Sequence, residues 1–205
     1  MKYRFLTISL CASFLLVSFY STCRAADTPT GKVRSILNEI MAIQTNPKLE
    51  GKQNLEKRRL AIKHVIATNF DQNAMAQRAL GDYWHKLNSS QRAQFKKVFE
   101  DLFQDSYTRL VLNFLKQETI RYNNEKGGHE KATVSTTIMR TNDKIGVNYF
   151  LSTVNRNWLV DDVTIDGVSI VGNYQNAFSR VIRTQSFESL LQKMRLQQKA
   201  VAESS

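Results

Sequence analysis

Apolar side chains recur at Val33, Ile36, Leu37, Ile40, Met41 and Ile43, the spacing of one helical face, and Pro47 ends the run. A less regular stripe at Leu55, Ala61, Ile62, Val65 and Ile66 predicts a second helix over residues 52–68, and Asp71 offers the N-cap of a short third helix that Gly81 can terminate. Trp84 and Leu87 fall in a bridging piece before Asn88-Ser89-Ser90-Gln91. There Asn88 is placed to cap a helix and Gln91 to return the bond as a capping box. From 89 to about 116, Phe95, Val98, Phe99, Leu102, Phe103, Leu110, Val111 and Phe114 keep helical spacing, with Tyr107 beside the stripe. A long aromatic helix is expected, and its apolar stripe needs a partner surface.

After residue 117 the period shortens from about 3.6 residues to about 2. Four strands at 119–123, 131–141, 145–155 and 158–166, separated by Gly127-Gly128, Asn142-Asp143 and Arg156-Asn157, predict an antiparallel meander. Val134, Ile138, Val147, Tyr149, Leu151, Trp158, Val160, Val163 and Ile165 gather on one face, while Thr, Ser, Asn and Lys occupy much of the other. In the fourth strand the parity flips, because Trp158 and Val160 are even-numbered and Val163 and Ile165 odd. A β-bulge at Asp161-Asp162 accounts for this. A sheet bent there, beneath a long helix, can leave a concave space between the layers. Beyond Gly167, residues 168–171 lead into a helix near 174–182, and Ser186 caps a last helix bearing Phe187, Leu190, Leu191 and Met194. The fold class is α+β: helices, a four-stranded antiparallel sheet, then helices, with no internal repeat.

Composition confirms a folded chain and sets its compartment. With 205 residues, 42% of them apolar and only 8 Gly and 2 Pro, the chain can close one core and is neither disordered nor low-complexity. Lys2 and Arg4 precede a charge-free, mostly apolar run of 16 residues, 5–20, and Cys23-Arg24-Ala25 follows with small residues at the cleavage-site positions. Residues 1–25 therefore read as a secretory signal peptide and 26–205 as a single exported domain. Tyr20-Ser21-Thr22 before Cys23 does not suit lipidation. Both cysteines, Cys11 and Cys23, lie in the leader, so the mature chain has no disulfide and no thiolate chemistry. Losing Lys2, Arg4 and Arg24 lowers the formal charge from +11 to +8. For an exported basic protein, anionic lipid surfaces are better partners than nucleic acid.

Catalytic patterns are missing. His64, His85 and His129 lie far apart, and no pair has the i, i+4 spacing of a helical metal site. The segment Gly167-Val168-Ser169-Ile170-Val171-Gly172 has one residue too many for a nucleophile elbow. Asp161, Asp162 and Asp166 lack calcium-loop spacing, and no phosphate loop or dinucleotide glycine pattern is present. The chain reads as a binding protein rather than an enzyme, with no cofactor.

Two blocks resemble a known family. The first is Ala79-Leu80-Gly81, Trp84, Leu87, Ser90-Gln91, Phe95, Phe99, Leu102 and Tyr107. The second runs from Asp162 through Val163-Thr164-Ile165-Asp166-Gly167-Val168-Ser169-Ile170-Val171, then Asn173-Tyr174-Gln175, Phe178, Ile182 and Phe187. In this order they resemble the MlaC-type periplasmic phospholipid-binding proteins, the toluene-tolerance family. The resemblance implies a carrier, expected to be monomeric, that holds acyl chains between its layers. It also implies exchange of phospholipid with an inner-membrane ABC transporter complex and an outer-membrane lipoprotein complex. Hopanoid-associated members leave the lipid open, and a non-lipid periplasmic binding or adaptor module on the same scaffold is the alternative.

The physics of lipid transfer matches such a role. Two acyl chains hold about 30 methylenes, and at ~0.8 kcal/mol each their exposure to water costs on the order of 24 kcal/mol. A carrier must cover the tails and leave the charged headgroup near solvent. Phe103, Tyr107, Val147, Tyr149, Trp158, Val163 and Ile165 are the candidate lipid-binding residues. Arg58, Arg59, Arg92, Lys96 and Lys97, from two helices, are candidate docking residues if their basic faces share one side.

Overall fold

In the computed structural model, which describes residues 28–203, six helices and a five-stranded sheet follow one another as helices, strands and helices. The expected leader, with Cys11 and Cys23, lies outside the described residues. Helix α1 spans Pro29–Gln44, capped by the Thr28 side chain on the Gly31 amide, and Val33, Ile36, Leu37 and Ile40 form its buried stripe. Two 3-10 turns, Pro47–Leu49 and Lys52–Asn54, precede α2 (Leu55–Asn69), so this helix begins three residues later than the pattern suggests. Helix α3 (Gln72–Leu80) carries the Asp71 cap and ends at Gly81, whose φ of 56° is unfavourable for a side-chain-bearing residue.

Helix α4 (Ser89–Phe114) begins with the full capping box: Asn88 Oδ1 accepts from the Gln91 amide and Gln91 Oε1 from the Asn88 amide. It stops at Phe114, and the Gln44 Nε2 of α1 donates to the carbonyls of Val111, Leu112 and Leu115 at 3.0–3.3 Å. Those bonds satisfy acceptors that a helix end leaves open and hold α1 against the end of α4.

The sheet has strands β1 (Thr119–Gly127), β2 (Lys131–Met139), β3 (Lys144–Val154), β4 (Asn157–Ile165) and β5 (Val168–Ser169), in spatial order β1-β2-β3-β4-β5, all antiparallel. Five strands replace the expected four. Asp166-Gly167 is a two-residue turn with φ of 47° and 83°, which returns the chain for a two-residue fifth strand. The first strand also runs four residues past its expected end at 123, through a register shift between Tyr122 and Asn124. The bulge in β4 is where the parity flip places it. Phe150 pairs with Asp162 and Leu151 with Val160, so Asp161 is the inserted residue and Val160 and Val163 both point into the core.

That bulge is anchored from the helical layer. Phe70, just after α2, forms a parallel bridge with Val160, and the Asp71 amide donates to the Val160 carbonyl at 2.8 Å. Arg78 of α3 donates to the Asp161 carbonyl and, at 3.1 Å, to its carboxylate, which also accepts from Ser152 Oγ. The next residue serves the next helix: Asp162 accepts from Ser169 Oγ at 2.6 Å and from the Val171 amide at 3.2 Å. Ser169 caps α5 (Ile170–Thr184), which therefore starts four residues before the expected 174. Helix α6 (Phe187–Glu203) follows a Ser186 side-chain bond to the Ser189 amide.

The core lies between the helices and the inner sheet face. Along α4, Phe95, Phe99, Phe103 and Tyr107 form a ladder of rings 5.0–6.0 Å apart. Phe178 and Tyr174 of α5 meet Phe95 and Phe99 edge-on, so at this end of the molecule the space between α4 and α5 is filled by rings. On the opposite side of α4, Asp105 is 3% exposed and takes bonds from Arg59 and Lys63 of α2 and Gln198 of α6, which joins three helices through one carboxylate.

Candidate functional site

Beyond Tyr107 the filling of α4 changes from rings to aliphatic groups. Leu110, Val111 and Leu115 line one side of a space whose other walls are Ile36, Leu37 and Ile40 of α1 and Ile138, Ile145, Val147 and Ile165 of the sheet. What remains is an apolar cavity of about 290 Å³. Its mouth is marked by exposed residues: Phe114 at the end of α4, Asp143 in the β2–β3 turn and Asp166 in the β4–β5 turn. Deeper in, Ile66, Phe70, Val147, Tyr149 and Val163 are buried.

The wall carries no convergent chemistry. Its two carboxylates are held by backbone amides, Asp166 by Gly146 at 2.9 Å and Asp143 by Lys144 at 2.7 Å. Its two phenols are neutral: burial pushes Tyr107 well above the usual tyrosine range, and pushes Tyr149 up against the opposing effect of a hydrogen bond with Thr136. Among the described residues no cluster of His, Cys, Asp or Glu could hold a metal, and no helix is long and apolar enough to cross a membrane. Asp161 and Asp162 engage their oxygens with α3, the sheet and the start of α5.

Of the seven candidate lipid-binding residues, Tyr107, Val147, Tyr149, Val163 and Ile165 lie together on the cavity wall. Phe103 and Trp158 do not. Phe103 is fully buried one helical turn below Tyr107, stacked on it at 5.0 Å, and Trp158 sits at the far end of β4 from Ile165, paired with Thr153. The pattern missed the α1 side of the wall, Ile36, Leu37 and Ile40, because an apolar helix stripe looks the same whether it faces side chains or a void. It also missed Thr136, a polar residue 2% exposed on the inner sheet face with its hydroxyl on the Val147 carbonyl.

The five basic candidates do not ring the mouth. Arg92, Lys96 and Lys97 occupy the first turns of α4, and at ~1.5 Å per residue Arg92 is about 30 Å from Phe114. Arg92 lies over the Trp84 ring and donates to its carbonyl, Lys96 bonds Asn73 at 2.6 Å, and Lys97 pairs with Asp101 at 2.7 Å. Arg58 and Arg59 are at the other end of α4, on α2. Arg58 ties down the carbonyls of Leu49 and Gly51, and Arg59 is held between Glu56 and Asp105. Their charges are largely engaged within the fold.

A family model described as MlaC protein matches residues 34–196, which takes in α1, the sheet, the cavity wall and most of α6. The chain belongs to the MlaC family. Among solved structures, it is similar to the phospholipid-binding protein from Ralstonia solanacearum, determined in complex with a phospholipid, with a TM-score of 0.72 and 22% identity over 83% of this chain and 96% of that one. That likeness shows a shared fold. Among curated proteins no sequence matches. Membership in the MlaC family agrees with what the two sequence blocks imply, and in the structure the two blocks pack on each other. The first block builds the Gly81 corner and the ring ladder of α4, and the second builds the bulged strand, the Asp166-Gly167 turn and α5, which packs on that ladder.

Proposed function

We propose that this MlaC-family protein is a periplasmic phospholipid carrier that takes acyl chains into the cavity between α1, α4 and the sheet and leaves the headgroup at the mouth. The observation that carries this reading is the cavity itself: an apolar wall, closed at Tyr107 and Phe70 and opening beside Phe114, with charged groups only at the rim. An acyl chain needs such a wall, and a charged headgroup stays in solvent at the open mouth because burying it unpaired would cost far more than it gains. The related Ralstonia protein, solved with a phospholipid, supports the same reading. With about 290 Å³ the cavity is at the lower end of the ~300–1,000 Å³ of ligand pockets, so a two-chain lipid requires it to widen as the second chain enters.

In this reading the leader, residues 1–25, is removed on export. The mature monomer exchanges lipid with an inner-membrane ABC transporter complex and an outer-membrane lipoprotein complex. The role is binding and carriage, which the MlaC family membership supports, and no chemical step is assigned to the wall. The test is to purify the protein from a Gram-negative periplasm, extract it with organic solvent and analyse the extract by mass spectrometry, then measure phospholipid transfer between liposomes. Stoichiometric phospholipid and transfer above the protein-free rate are expected. Protein free of lipid and inert in transfer would favour the adaptor alternative.

A further inference from the structure

On α4, β3 and β4 the cavity lining stops at one depth. On α4 the lining runs from Leu115 back to Tyr107 and excludes Phe103; on β3 it runs from Ile145 to Tyr149 and excludes Leu151; on β4 it runs from Ile165 to Val163 and excludes Val160. Phe103, Leu151 and Val160, one step further in, are 0%, 1% and 0% exposed. The space therefore ends on a floor rather than tapering into voids. The floor is aromatic: Tyr107, Phe70 and Phe103 form a triad with centroids 5.0, 5.6 and 5.8 Å apart. Tyr107 and Phe70 face the cavity, and Phe103 backs them. Tyr107 keeps partial exposure at that depth because its free surface is cavity wall.

The dimensions give this floor a consequence. From Phe114 to Tyr107 the helix rises about 10 Å, and from Ile145 to Tyr149 the strand extends about 13 Å. The tails of one bilayer leaflet fill about 15 Å, half of a ~30 Å hydrocarbon core. A membrane-length chain thus reaches the floor before its last carbons are covered.

We infer that the Tyr107 ring, backed by Phe103 and flanked by Phe70, is a ruler that sets the longest acyl chain the protein holds with full coverage. This rests on the carrier reading above. Removing the ring moves the floor back toward Phe103, a ring spacing of 5.0 Å. At about 1.2 Å per extended backbone bond, that is room for about four methylenes. Covering even two more, at ~0.8 kcal/mol each, is worth about tenfold in affinity.

The experiment incubates wild-type protein and Tyr107→Ala with vesicles of phosphatidylcholines that share one headgroup and differ in chain length. The bound lipid is then extracted and quantified by mass spectrometry. Relative to wild type, Tyr107→Ala is expected to enrich the longest over the shortest chains by about tenfold, with the preferred length shifted by about four carbons. Val163→Phe, which raises the floor from the sheet side, is expected to shift the preference toward shorter chains. If Tyr107→Ala loses its cooperative thermal transition, Tyr107→Leu carries the same comparison. Wild type that takes up lipid but shares one chain-length profile with the folded variants overturns the ruler and leaves the carrier reading standing. Wild type that takes up no lipid overturns both.

Discussion

At the scale of single residues, the molecule handles its buried polar groups in two ways. Asp105 and Asp161 are each surrounded by donors, so their burial joins elements together instead of leaving a charge unpaired. Tyr107, Tyr149 and Tyr174 are different. Burial is the main cause that raises all three phenols, and the neighbouring hydroxyls of Thr136 and Ser106 offset part of it at Tyr149 and Tyr174. The folded protein therefore keeps protons that the unfolded chain releases near pH ~10. Below that pH both states are protonated and the phenols have no effect on pH dependence; above it the unfolded state ionises first, so stability falls as pH rises. Thermal melts between about pH 8 and 11 are expected to drop steeply at the alkaline end, and Tyr149→Phe with Tyr174→Phe is expected to flatten the drop. A wild-type profile already flat over that range would mean that the phenols ionise in the folded state. None of this was legible in the sequence, where Tyr107 and Tyr149 could be placed on inward faces but Thr136 and Ser106 could not be placed beside the phenols.

At the scale of elements, the capped starts of α3 and α4 and the meander were the most legible parts, because each is signalled within a few residues. The capping box of α4 is the clearest case: Asn88 and Gln91 satisfy two amides that nothing else in the helix reaches. Asn88→Ala is expected to lower stability by about 1 kcal/mol, read as a shift in the urea midpoint at unchanged slope. An unchanged midpoint would show that the first turn of α4 is held by Arg92 on Trp84 instead. The bulge in β4 was also legible, from parity alone. Its purpose was not, because Arg78, Phe70 and Asp71 reach it from about 80–90 residues away in sequence. Helix ends and the fifth strand were misjudged where the deciding bond comes from outside the segment, as at Ser169 and Asp162 for α5.

For the whole molecule, the question that pattern leaves open is which apolar positions touch one another and which face a void. Five of seven candidate lining residues share the cavity, since the inward parity of β3 and β4 could be counted; Phe103 and Trp158 have the right parity or stripe at the wrong depth. Depth is set by where α5 ends its cover of the ladder, which is a tertiary fact. Filling the space tests the proposed role directly. Val147→Trp and Ile165→Trp project into the cavity, so they are expected to lower lipid per protein severalfold and leave the thermal transition in place, because an existing void absorbs the added volume. If instead both variants lose about 1–3 kcal/mol of stability or more with lipid content unchanged, the side chains meet a closed core, where overpacking typically costs that much.

The sheet also has a history written into its connectivity. Each strand pairs with the one that follows it, through turns of a few residues, so its contacts are local in sequence and are expected to form early. The first helix has no such advantage: the bond from the Thr30 amide to Glu125 that ties it to β1 closes a separation of 95 residues. The segment made first is thus expected to settle last, and the roof it supplies with Ile36, Leu37 and Ile40 arrives on a trough that the strands and α4 have already shaped.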